Sequence, residues 1–130
     1  MIDFDLKPYE WKMNMDNIMS NVNLSKIEFL NDRSILFCFL NSYNGSFYKK
    51  IICHNVLKFT EDNYYEKSDG FPFFICDVKL TKLKNTDIEN AFNYLRYGMN
   101  IPDCQEYNLL CMDSGELSIN LICGIVEIID

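Results

Sequence analysis

Residues 34–56 constrain this chain more than any other stretch. Ser34-Ile-Leu-Phe-Cys-Phe-Leu40 runs into Asn41-Ser-Tyr-Asn-Gly45, and Ser46-Phe-Tyr-Lys-Lys-Ile-Ile-Cys-His54 follows. Asn44-Gly45 between two β-prone runs predicts a hairpin with a type I′ turn, which needs positive φ at both central residues. The first arm is apolar on both parities, so it is expected to be covered on both faces. The second carries Lys49 and Lys50 in mid-strand, so one of its faces should meet water or lie near an edge.

The flanking chain supplies more strands. Ile27 and Phe29 alternate with Lys26 and Glu28, and Asn31-Asp32-Arg33 makes a turn, which predicts a meander of 24–30, 34–41 and 46–54. Before it, residues 1–23 carry Trp11, Met15, Ile18 and Met19 at a loose helical spacing weakened by four asparagines, and read as a short helix or an irregular segment. After it, 60–70 is polar and aperiodic, a loop. Residues 71–80 resume as a strand with Phe74, Cys76, Val78 and Leu80 inward. Lys79, Lys82 and Lys84 there would discourage edge-to-edge pairing.

One helix stands out, at 86–97. Thr86-Asp-Ile-Glu89 is a capping box, Ile88, Ala91, Phe92 and Leu95 form one apolar stripe, and Gly98 is placed to end it. Residues 107–112 and 116–123 make a second hairpin around Asp113-Ser-Gly115, and 125–129 continues it. If that last strand kept one phase, Glu127 would share a face with Leu117, Ile119 and Leu121. A bulge or break at Cys123-Gly124 is therefore predicted, turning Val126 and Ile128 inward and Glu127 to water. The fold expected is α+β: one domain over 1–130, mainly an antiparallel sheet of six to eight strands, curved or sandwich-like, with the helix packed on it.

At 130 residues, 48% of them hydrophobic and 15% aromatic, the chain can bury a core without metal or disulfide staples. The net charge of −7 argues against nucleic acid and against an anionic membrane surface, and favours a basic protein partner. Acids in Met1-Ile-Asp-Phe-Asp5 sit where a signal peptide needs a basic start, so the expected location is cytoplasmic. Five of the six cysteines fall in apolar strand-like runs without ligand spacing, and read as buried, free thiols. Cys104, in a loop, is flanked by Asp103 and Glu106, which would raise its thiol pKa.

Catalytic and metal chemistry find no constellation here, and no cofactor is expected. His54 is the only histidine and closes a strand, where a bond to neighbouring backbone is the default. What stands out is a surface over 61–74. Glu61, Asp62, Glu66 and Asp69 lie among Tyr64 and Tyr65, acids to steer a basic partner and rings to give it contact area. The plainer alternative is a solvated loop whose aromatics fold back over the core.

Lys26-Ile-Glu-Phe-Leu30, Asn55-Val56 after the third strand, and Tyr107-Asn-Leu-Leu with Ser114-Gly-Glu-Leu-Ser-Ile119 together resemble small bacterial proteins of the toxin-immunity type and their β-rich relatives. The resemblance implies a non-enzymatic domain that neutralises a basic toxin by covering its site. It carries over no functional residue. The alternative is a β-rich domain holding a small apolar ligand between helix and curved sheet.

Overall fold

The computed structural model describes residues 15–63, 72–83, 85–95, 107–114 and 117–130. Six antiparallel strands run β1 (Asp16–Leu30), β2 (Ser34–Asn41), β3 (Phe47–Asn63), β4 (Phe73–Lys82), β5 (Asn108–Asp113) and β6 (Leu117–Ile129). They close into a ring in the order β1-β2-β3-β6-β5-β4, with β4 paired back onto β1. One helix, α1 (Asn85–Tyr94), stands between β4 and β5. The expected α+β, mainly antiparallel architecture is present, with six strands and a closed sheet.

The ring interior is filled by side chains. Leu24, Phe37, Phe39, Ile51, Ile75, Leu110, Met112, Ile119 and Leu121 are among those buried inside it. Each large side chain so buried stabilises the fold by about 1.5–3 kcal/mol relative to leaving it in water. A second cluster lies outside the ring, where Ala91 and Phe92 of α1, with Leu95 just beyond its end, pack with Leu109, Cys111 and Ile122 of β5 and β6. Phe92 meets Tyr107 edge-to-face at 5.3 Å. The predicted stripe on this helix is the one that packs. The helix begins at Asn85, and Gly98, its predicted stop, lies outside the described residues.

Several expectations need correction. Residues 16–23 are strand, because that segment pairs with β4 and sets Met19 and Val22 into the core. Its asparagines are accommodated rather than disruptive: Asn17 donates to Ser20 and Asp77, and Asn21 takes φ +55. Residues 60–63 extend β3, since their backbone pairs with 117–120 of β6 despite polar side chains. The 41–46 turn is not type I′. Gly45 has φ +72 but Asn44 is not in the left-handed region, and the Asn44 side chain instead accepts bonds from the Ser46 amide (2.9 Å) and hydroxyl (2.7 Å). Lys79 guards no edge, because it pairs with Asn17 of β1 and Cys111 of β5; Lys82 pairs with Asn108 of β5, and Lys84 lies outside the described residues.

On β4 the inward set is Phe73, Ile75, Val78 and Leu80, while Phe74 and Cys76 are exposed. The cause is a change of phase shared with the neighbouring strand. Ile75 and Val78 are three residues apart, and so are Met19 and Val22 opposite them, although alternation allows only even spacings on one face. A second such point joins β3 and β6. Cys53 and Val56 face inward three apart, opposite Val126 and Cys123. Each point has an asparagine in the left-handed region, Asn21 at φ +55 and Asn55 at φ +55, a conformation Asn tolerates better than other side-chain-bearing residues. The two strands turn over together, so pairing continues through the kink.

The predicted phase change at Gly124 is therefore present; the register holds from His54–Ile125 to Val56–Cys123, and the bulge beside it lies on β3, between Val56 and Lys58. Val126 packs on the core, Glu127 is exposed, and Ile128, on the inward phase, is still 44% exposed. Gly124 is needed for space: a Cβ there would come within 3.2 Å of Asn55 Nδ2 and 3.4 Å of Asn55 Cβ. Its carbonyl accepts a bond from the buried Asn108 amide at 2.8 Å.

Candidate functional site

The feature best suited to function is a groove of about 300 Å³ beside the β1–β2 turn. Its walls are the end of β1, the start of β2 and residues 56–59 of β3, with Phe29, Ile35, Val56 and Phe59 supplying apolar surface. Phe29 stands 67% exposed and meets Phe59 edge-to-face at 5.5 Å; Phe59 in turn lies against Phe37 of the core at 6.5 Å. The groove thus opens from the ring's own packing rather than from a detached loop. Its volume sits at the small end of the range for ligand sites.

Arg33 and Lys58 are the charged residues lining it. Arg33 is held in place twice. Its carbonyl accepts the Val56 N–H at 2.8 Å, and its Nη2 donates to Asn55 Oδ1 at 2.9 Å. Asp32 and Arg33 both lie in the left-handed region, at φ +61 and +56. A side-chain-bearing residue held there costs on the order of 1 kcal/mol, and such strain gathers at functional sites.

Sequence reasoning took Asn31-Asp32-Arg33 only as a turn and passed over Lys58-Phe59. The groove arises from β1 and β3 meeting around β2, and only Phe29, aromatic beside a polar turn, hinted at it. The expected ligand place, between helix and sheet, is filled by the packing of α1 on β5 and β6.

Of the residues expected to bind a partner, Glu61 and Asp62 are exposed near the end of β3, opposite Ile119 and Ser118 of β6. Tyr64, Tyr65, Glu66 and Asp69 lie outside the described residues, as do Phe71 and Cys104. Phe73 is core and Phe74 is exposed.

His54 is not the backbone-bonded histidine expected. Its Nδ1 lies 3.2 Å from Ser34 Oγ and its Nε2 lies 3.0 Å from Glu127 Oε1. These three side chains form a row across the outer face of β2, β3 and β6. Ser34 is 8% exposed, and the row links β2, β3 and β6 side chain to side chain. Cys53 and Cys123 meet inside the ring, and the hydrogen bond between them, with burial second, pushes the Cys53 thiol far above its usual pKa. Among the described residues no three His, Cys, Asp or Glu side chains gather as metal ligands, and no helix is long and apolar enough to cross a membrane.

No curated protein matches this chain. A crystal structure of an uncharacterized protein from Neisseria gonorrhoeae is similar in fold, with a TM-score of 0.62 and 23% identity, covering 88% of this chain and 95% of that one. That likeness supports the ring architecture and carries no toxin-immunity role with it. Residues 17–130, from the second residue of β1 through the end of β6, match the model of a family described only as "-like", and the chain belongs to that family.

Proposed function

We propose that this chain is a non-enzymatic binding domain whose groove beside the β1–β2 turn takes a small apolar ligand. The observation that carries the reading is Phe29. A phenylalanine 67% exposed at the wall of a concavity forgoes much of the roughly 1.5–3 kcal/mol its burial is worth, and an apolar ligand would recover part of it. Titration with octanol, followed by NMR, tests this. Shifts are expected at Phe29, Val56 and Phe59, and Phe29→Ala should weaken binding. Shifts spread evenly over the surface, or none, would overturn the reading.

A second reading rests on Glu61 and Asp62, exposed acids near the end of β3 in a chain of net charge −7. They would open an acidic surface continued by Tyr64, Tyr65, Glu66 and Asp69 for a basic protein partner, a toxin in the immunity version of the idea. Replacing the four acids by Asn and Gln should then slow association with a cationic partner; unchanged association removes this reading.

A further inference from the structure

We infer that the ligand of the groove is an anion with an apolar tail, a carboxylate on a short aliphatic chain or ring. The inference rests on the groove reading above and names its ligand class. In a protein of net charge −7, an apolar site would be expected to carry acids at its rim if its charges were incidental. Here the charged lining residues are Arg33 and Lys58, both cations.

Their partners sharpen the point. Lys26 pairs with Glu28 and Lys49 with Asp130, each neutralised by a neighbouring acid. Among the described residues neither Arg33 nor Lys58 has such an acid, a state they share with Lys50 and Lys79, and they are the two such cations that line the groove. The Arg33 guanidinium is steadied by Asn55, a neutral amide, which fixes its direction without cancelling its charge. That bond uses one of the guanidinium's five N–H donors, leaving others for a carboxylate, which can be gripped by two parallel bonds. The Val56 N–H fixes the Arg33 backbone in its strained turn, which sets the residue's place in the groove lining with Phe29 and Phe59, and its guanidinium is exposed there to an incoming anion. An apolar wall with two cations at its rim matches a ligand with the same division.

Octanoate, octanol and octylamine share one tail and differ in head charge, so calorimetric titration of the three separates head from tail. Octanoate is expected to bind about tenfold more tightly than octanol and octylamine more weakly than either, with the octanoate advantage shrinking as salt rises. Arg33→Gln with Lys58→Gln should bring octanoate down to the octanol value while octanol is unaffected. Should Arg33→Gln disturb the turn, Lys58→Glu alone decides, by lowering octanoate affinity and raising that for octylamine. Equal binding of octanoate and octanol would overturn the anion assignment and leave the groove standing. Binding of none of the three would remove both.

Discussion

The kink shared by β3 and β6 predicts a specific coupling between Gly124 and Asn55. Gly124→Ala in an ordinary strand position would stabilise by about 0.4–1 kcal/mol, since alanine has fewer unfolded conformations to lose. Here the new Cβ would sit 3.2 Å from Asn55 Nδ2 and 3.4 Å from Asn55 Cβ. Asn55 has little freedom to retreat, being fixed by φ +55 and by the bond from Arg33. Overpacking of this kind costs about 1–3 kcal/mol, so the net expected for Gly124→Ala is a loss of about 1 kcal/mol. Asn55→Gly removes the obstructing side chain and fits the left-handed backbone without strain. In that background Gly124→Ala should become neutral or mildly stabilising, a coupling of about 1–2 kcal/mol. Urea unfolding of the four proteins in the cycle measures it. Additivity within about 0.3 kcal/mol would show that Asn55 does not limit the space at Gly124, and the account of the kink would fall.

Other outcomes follow from the same structure. Asn108→Ala strands the buried Gly124 carbonyl and should cost about 1–3 kcal/mol, read by thermal unfolding; a silent variant would mean water reaches that carbonyl. Phe37→Ala, fully buried in the ring, should cost about 3–5 kcal/mol. Under native conditions a thiol reagent should modify exposed Cys76 well before Cys53, Cys111 or Cys123, as peptide mass mapping would show. Under denaturing, non-reducing conditions all six cysteines should react, and a Cys53–Cys123 disulfide would contradict the free-thiol reading. Glu61→Gln with Asp62→Asn, at exposed positions, should change stability by less than about 0.5 kcal/mol, so any loss of partner association in that variant is attributable to the surface.

Local signals were legible where local physics decides. The apolar stripe of α1 and the places of the β2–β3 and β5–β6 hairpins follow from period and turn residues, although the β2–β3 turn itself is not of the type its Asn-Gly pair suggests. The phase change near Gly124 could be argued because a charge, Glu127, would otherwise have pointed into an apolar interior. Its counterpart at Asn21 could not, because the residue that turns the strand over looks like any other asparagine in a polar segment. Residues 16–23 lose their helical appearance only when β4 pairs beside them. Ring closure left no mark on the sequence, since β1–β4 and β3–β6 join segments with no local cue to each other. The groove depends on that closure: Phe29 and Phe59 become neighbours only after β1, β2 and β3 are curved together.

The position of β6 between β3 and β5 has a consequence for how the ring is made. It is the last of the six strands in chain order, yet both its neighbours precede it. Until it has left the ribosome, the other five can form only an open sheet, with β3 and β5 as bare edges. Unpaired edges of this kind invite pairing with other chains. In the finished ring β6 covers β3 from Lys50 to Asn63 and β5 from Asn108 to Asp113, so the interval before β6 arrives is when those edges are most open to aggregation. A nascent chain stalled short of Leu117 should need a chaperone that the completed protein does not.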